Sequence, residues 1–182
     1  MIRSLLIVIL IVAFLILSIP ILIVEWIIGK FNPYARDISS LRIVQFMFKL
    51  ILFVAGTKVT VIGEDRIPKD TPVLYVGNHR SYFDILLTYS RCKRLTGYIA
   101  KKEMEKVPLL SIWMRFVYCL FLDRENPKEG LKTILNISKR GFRSVSSLRV
   151  QEIREKNFLF FLLKMEHLKS QPKPVVLLYR SP

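Results

Sequence analysis

The sequence predicts an α/β domain carried behind apolar N-terminal helices, and three observations point there. Leu5 to Val24 holds no charged residue, and ~20 apolar residues suffice to cross a hydrocarbon core. Val73-Leu74-Tyr75-Val76 is a short β-type run, followed from Tyr82 to Tyr89 by an apolar helical pattern. Between strand and helix stands Gly77-Asn78-His79-Arg80-Ser81-Tyr82-Phe83-Asp84, which sets one of the chain's two histidines five residues before a carboxylate.

Residues 1–28 are expected to form a membrane anchor. A cleaved signal peptide is the competing reading; the length of the run, Pro20 and the lack of a small-residue cleavage site count against it. Trp26 suits the interface, and Lys30, Arg36 and Arg42 beyond the run outnumber Arg3 before it. That asymmetry places the bulk of the chain, with its catalytic part, on the cytoplasmic side of the cell membrane. Residues 29–56 follow as an amphipathic interfacial region. Leu41 to Ala55 is apolar except for Arg42, Gln45 and Lys49, which fall on one helical face. A core-packing helix with a narrow solvated stripe accounts for the same pattern. Gly56 ends this helix, and Lys58 to Gly63 has the β-branched content of a strand. A loop through Pro68 then leads to Val73.

The strand-turn-helix unit carries the chemistry. On one continuous helix, residues five apart point about 140° from each other, so His79 and Asp84 meet only if the chain turns between them. Gly77-Asn78 supplies that turn. Ser81 then falls at an N-cap with Asp84 three residues later, a capping-box spacing. Asp84 can therefore be a mere helix cap and His79 a turn residue. Alternatively, Asp84 holds the imidazole in one tautomer and helix N–H groups face a developing oxyanion.

Other chemistries lack their residues. Cys92 and Cys119 are isolated thiols with no metal-ligand spacing, and the remaining histidine is His167, near the end of the chain. Neither a P-loop, a dinucleotide fingerprint nor a G-x-S-x-G elbow is present. The net charge of +15 raises nucleic acid as a partner, but nine basic and three acidic residues beyond Lys139 leave +9 on the first 139. Beside a membrane helix that excess fits anionic lipid headgroups rather than nucleic acid. Arg91, Lys93, Arg94, Lys101, Lys102 and Lys106 are expected to cluster near the His79-Asp84 block, where a phosphate-bearing substrate would lie.

The block N-H-R-S-Y-F-D resembles that of the glycerolipid acyltransferase family, typified by bacterial 1-acyl-glycerol-3-phosphate acyltransferases, with His79 and Asp84 at the catalytic positions. Ala100-Lys101-Lys102-Glu103-Met104 followed by Pro108 is similar to the family's K-x-E-L…P segment. Leu120-Phe121-Leu122-Asp123-Arg124 is similar to its I-F-I-D-R block, whose arginine is assigned to the substrate phosphate. The family often has a glycine near the start of that block, where this chain has Tyr118-Cys119. The resemblance covers about Gly63 to Lys139. It implies a mixed sheet flanked by helices, the domain occupying residues 57–139. The implied reaction is acyl transfer from acyl-CoA or acyl carrier protein, as co-substrate, to the sn-2 hydroxyl of lysophosphatidate at the bilayer. It implies neither a metal nor a resident cofactor. Asn78, Arg80, Ser81, Lys101, Lys102 and Arg124 are the expected substrate-binding residues. Another lysophospholipid acceptor, a hydrolase, or an inactive membrane-surface protein remain alternatives.

Residues 140–182 depart from that pattern. The family next shows F-P-E-G-T-R, whose Glu and Arg help hold the glycerol phosphate, and later an apolar segment with a proline. Neither is written here. Codons can nevertheless be chosen for Arg140 to Pro182 so that the frame starting on each third base spells both, with F-P-E-G-T-R across Ser146 to Glu152 and P-I-I-P-I near the end. The first two bases of each codon are largely fixed by the residue observed, so that hidden pattern is not free to choose. The expectation is a frameshift between about Leu135 and Arg140, by mutation or sequencing error. A genuine divergent C-terminus is the alternative. A domain missing its last strands would carry an unpaired sheet edge and lack the second arginine of its phosphate site.

Overall fold

Pro20 breaks the first apolar run. It has no N–H for the carbonyl of Ile16, and its ring crowds that turn. The chain therefore forms α1 (Ile2–Leu17) and α2 (Ile19–Phe31), which meet at 49° in the computed structural model. The single helix expected from Leu5 to Val24 is thus two. Ser18 at the junction is 1% exposed. Its Oγ donates to the Leu15 carbonyl at 3.0 Å and accepts from Trp113 Nε1 at 2.9 Å, which ties the bend to the domain. The structure describes residues 2–61, 64, 67, 73–77, 82–122, 147–151 and 175–179.

Helix α3 (Pro33–Ala55) starts earlier than the sequence pattern suggests, because Asn32 caps it: Asn32 Oδ1 accepts from the Ala35 N–H at 3.0 Å. It ends at Gly56, whose φ of 70° opens a terminal turn in which the Thr57 N–H reaches back to the Leu52 carbonyl at 3.1 Å. Leu41, Val44, Met47, Ile51 and Leu52 are buried, and α3 packs against both preceding helices and against the domain. Within an 18-residue stretch of α3 that is apolar enough to cross a membrane, 39% of the residues are inside the protein. Burial thus favours the core-packing reading of this helix. Arg42 and Lys49 are exposed, but Gln45 between them is not.

The strand expected from Lys58 is absent from its described part: Lys58 to Val61 make no ladder. Val59 and Val61 are exposed, and β-branched content alone makes no strand without a partner to pack on. The domain proper comprises β1 (Val73–Gly77), α4 (Tyr82–Tyr89), β2 (Thr96–Lys101), a 3-10 turn (Lys102–Lys106), α5 (Leu110–Phe116), β3 (Leu120–Leu122), β4 (Ser147–Gln151) and β5 (Val175–Tyr179). Strand order is β3-β2-β4-β1-β5. Every described pairing is parallel, where a mixed sheet was expected. For β1, β2 and β3 the described helices explain this, since α4 and α5 each return the chain to the edge from which the next strand starts. β4 and β5 also lie within residues 140–182, where the sequence reading left the sheet short of strands. β5 is a continuous apolar run, Val175 to Leu178, at the edge of the sheet, whereas β4 in its centre carries the charged Arg149 between Leu148 and Val150, against the apolar composition usual for an interior parallel strand.

The core joins the layers. Leu22 of α2, Leu41 and Val44 of α3, Tyr89 of α4, Tyr98 of β2 and Trp113 of α5 form one buried cluster. Tyr89 stands edge-on to Tyr98, ring centroids 4.8 Å apart, and Phe14 of α1 covers Trp113 at 5.6 Å. The N-terminal helices therefore share the domain's core. Their other side is apolar and open: Leu5, Ile9, Val12 and Ile16 on α1, and Ile23 and Trp26 on α2, are all exposed.

Candidate functional site

In a parallel sheet all strands end at the same edge, and that edge is where the sequence places its chemistry. β1 ends at Gly77, level with Gln151 of β4 and Tyr179 of β5. β2 ends at Lys101, level with Leu122 of β3. With β4 interposed between β1 and β2, those two strand ends lie about 10 Å apart at ordinary sheet spacing. Asn78, His79, Arg80 and Ser81 follow Gly77 in the sequence, and Arg124 follows Leu122 by two residues; all five lie outside the described residues.

Asp84 sits in the first turn of α4 and is half-buried. One turn on, Thr88 Oγ1 donates to the Asp84 carbonyl at 2.5 Å, and the Tyr98 hydroxyl lies 3.0 Å from that same Oγ1. Since the Thr88 proton is committed to the carbonyl, Tyr98 is the donor. A bond from β2 thus fixes the start of α4, and with it the Asp84 backbone. Lys101 Nζ pairs with Glu103 Oε1 at 2.9 Å, both about half-exposed. Such a surface pair contributes ~0–1 kcal/mol and leaves the ammonium reachable. Lys102 is exposed beside it.

The basic cluster does not hold together. Lys101, Lys102 and Lys106 lie at or just past the C-terminal end of β2, but Arg94 precedes Thr96, at its opposite end. Arg91 and Lys93 follow the far end of α4 from Asp84. A six-residue strand covers about 20 Å, so sequence proximity misleads across it. Arg91 is paired with Glu64, and with Arg42, Gln45, Lys49 and Lys93 it lines a separate open cleft of about 540 Å³.

Two side chains that the pattern of charges hid are structural anchors. Gln45 is 4% exposed and donates through Nε2 to the Tyr89 carbonyl at 3.1 Å and the Cys92 carbonyl at 2.6 Å, closing the end of α4. Its Oε1 accepts from Arg42 Nη1 at 2.9 Å. Asp37, 2% exposed, accepts from the Tyr118 hydroxyl and from Arg36 Nε at 2.9 Å. That Asp37 is the one acid between Pro33 and Ala55 was the available signal for it. Neither cysteine is in a disulfide: Cys92 Sγ donates to the Thr88 carbonyl at 3.4 Å, and burial pushes the Cys119 thiol from 9.0 up to about 12 despite a bond from the Tyr98 backbone.

Comparison with known proteins gives this edge a context. Residues 58–147 match the family model described as Acyltransferase. A protein named probable 1-acyl-sn-glycerol-3-phosphate acyltransferase, from Mycoplasma genitalium, is 34% identical over 98 residues, which cover 50% of this chain and 36% of that one. The 1-acyl-sn-glycerol-3-phosphate acyltransferase of Haemophilus influenzae is 28% identical over 109 residues, 58% of this chain and 44% of its own. The matched part thus spans less than half of either relative. The crystal structure of the 1-acyl-sn-glycerophosphate acyltransferase from Thermotoga maritima superposes with a TM-score of 0.62 at 21% identity, covering 89% of this chain and 71% of that one.

Proposed function

We propose, from the premise that this chain belongs to the acyltransferase family through residues 58–147, that it moves an acyl group from a thioester donor to the sn-2 hydroxyl of a 1-acyl-glycerol-3-phosphate. The observation that carries this reading is the order of parts at the strand ends. β1 stops two residues before His79, Asp84 opens the helix that follows, and β2 and β3 stop together at Lys101 and Leu122. The two curated relatives, both named for this acceptor, support it.

In this mechanism His79, held by Asp84, takes the proton of the acceptor hydroxyl while that oxygen attacks the thioester carbon. The tetrahedral oxyanion is met by Asn78 or by backbone N–H groups after His79. It collapses with loss of the thiolate, which recovers the proton from the imidazolium. General-base help of this kind contributes ~10²–10⁴ in rate. Arg124, with Lys101 and Lys102, holds the phosphate, and Arg80 and Ser81 border it; charge-assisted bonds to a phosphate fix the hydroxyl for attack. Acyl-CoA or acyl carrier protein comes and goes as co-substrate. The exposed apolar sides of α1 and α2 suit contact with a bilayer, and the charge balance around α2 favours the cytoplasmic face.

Residues 140–182 belong to this proposal as a segment read out of frame. β4 supports it by place: Ser147–Gln151 falls between β1 and β2, and it is across Ser146 to Glu152 that the alternative frame spells F-P-E-G-T-R. In frame, its Glu and Arg would end a strand between His79 and Lys101. The test uses a labelled acyl donor with the in-frame protein. Label should pass to lysophosphatidate and give phosphatidate; release as free fatty acid whether or not lysophosphatidate is present would instead identify a hydrolase.

A further inference from the structure

The open cleft that holds Arg42, Lys49, Arg91 and Lys93 stands apart from the strand ends. It lies between α3 and the end of α4, and its volume of about 540 Å³ falls within the ~300–1,000 Å³ of small-molecule sites. Its four cations face one acid, Glu64. Two of them are held in place: Arg91 donates to Glu64, and Arg42 Nη1 donates to Gln45 Oε1 at 2.9 Å. Gln45 is buried and spends its amide hydrogens on the Tyr89 and Cys92 carbonyls, which leaves Oε1 as the acceptor. Lys49 and Lys93 are exposed, with no hydrogen-bond or ion-pair partner among the described residues. A concave surface with an excess of one charge gathers the opposite charge. Oriented guanidiniums beside free ammoniums are the donors that phosphate oxygens take. Phe53 at the same cleft is 82% exposed, an open ring face on which a flat base can stack.

Position decides whose phosphate this is. α4 runs from the turn of Asp84 to the cleft, ~12 Å for its eight residues. The acceptor's phosphate is borne on the carbon next to the one with the reacting hydroxyl, too near to span that length. In an acyl-CoA, by contrast, the nucleotide phosphates and the thioester stand at opposite ends of a pantetheine arm longer than α4. Leu87 lines the cleft, and Phe83 lies one turn nearer Asp84 on the same face of α4, an apolar track between the two ends.

We propose that the cleft between α3 and α4 binds the nucleotide phosphates of the thioester donor, with Arg42, Lys49, Arg91 and Lys93 as their donors. The proposal rests on the reading of the reaction as transfer from a thioester, and it names a nucleotide as the carrier.

Binding of adenosine 3′,5′-bisphosphate to the full chain in nonionic micelles tests this without requiring turnover. Wild type should bind it far better than adenosine, and added salt should weaken it. Lys49→Gln and Lys93→Gln, at exposed positions with no partner to lose, should each weaken the bisphosphate on the order of tenfold, the loss of one bond to a charged group. Vesicles of phosphatidylcholine with and without phosphatidylglycerol form the second arm. If wild type binds no bisphosphate while the two variants lose a preference for phosphatidylglycerol, the cleft holds lipid headgroups and the proposal is overturned. If Lys101→Gln weakens the bisphosphate and the two cleft variants do not, the anion sits at the strand ends and the proposal is overturned likewise. The underlying reading fails separately. An in-frame protein that takes label from acyl carrier protein but not from acyl-CoA overturns the proposal and leaves acyl transfer standing, whereas one that takes it from neither thioester brings both down.

Discussion

Gln45 shows how one buried amide can organise an element 44 residues away. Two carbonyls at the end of α4 depend on its Nε2, and a buried acceptor left without a donor costs ~1–3 kcal/mol. Gln45→Leu keeps the volume and removes the donor, so it should lower unfolding free energy by about that amount in a denaturant titration; an unchanged midpoint would contradict the assignment. Cys119 gives a pH signature. Below pH 9.0 the thiol keeps its proton folded or unfolded. Between 9.0 and about 12 only the folded chain keeps it, so unfolding releases a proton and stability falls as pH rises. Tyr89, also raised chiefly by burial, adds to the fall at higher pH. The melting temperature should stay level up to about pH 9 and then decline, less steeply in Cys119→Ala; identical alkaline slopes would argue against a buried thiol. Neither role was legible from residue type. Gln45 has the same helical spacing as Arg42 and Lys49, yet it points inward, and only the packing of α4 on α3 decides that.

Chain breaks were easier to read where a residue enforces them, and harder where a partner does. Gly56 was expected to stop α3 because a left-handed residue closes a helix without penalty only when it lacks a side chain. It does so, and a Cβ there would also come within 2.7 Å of Arg3 Nη1. Gly56→Ala should therefore destabilise by ~1 kcal/mol or more, seen as a lower melting temperature with helix content retained; a neutral result would contradict the observed turn. β1 and α4 were legible because Val73 to Val76 and Tyr82 to Tyr89 carry opposite periodicities across a glycine. The bend at Ser18 was not: Pro20 announces a break, but the Trp113 bond that fixes its direction comes from 95 residues away. The false strand after Lys58 and the split of the basic cluster have one physical source. Sheet partners and strand direction are tertiary facts that a local window does not contain.

For the molecule as a whole, the N-terminal helices and the domain share one core, so α1 to α3 are part of the scaffold that carries the sheet. The sheet brings the ends of β1, β2 and β3 to one edge and inserts β4 between the first two. The proposed chemistry is read from the motif at Asn78 to Asp84, whereas residues 140–182 as written carry no counterpart to the next motif that the resemblance implies. Nucleotide sequencing across codons 135 to 141 should reveal an insertion or deletion, and an intact frame in source DNA would leave a divergent C-terminus instead. The account stands most directly on His79. In the in-frame protein, His79→Ala should abolish phosphatidate formation from lysophosphatidate and an acyl thioester, with membrane association unchanged; phosphatidate formation persisting in that variant would contradict the acid-base role on which the account is built.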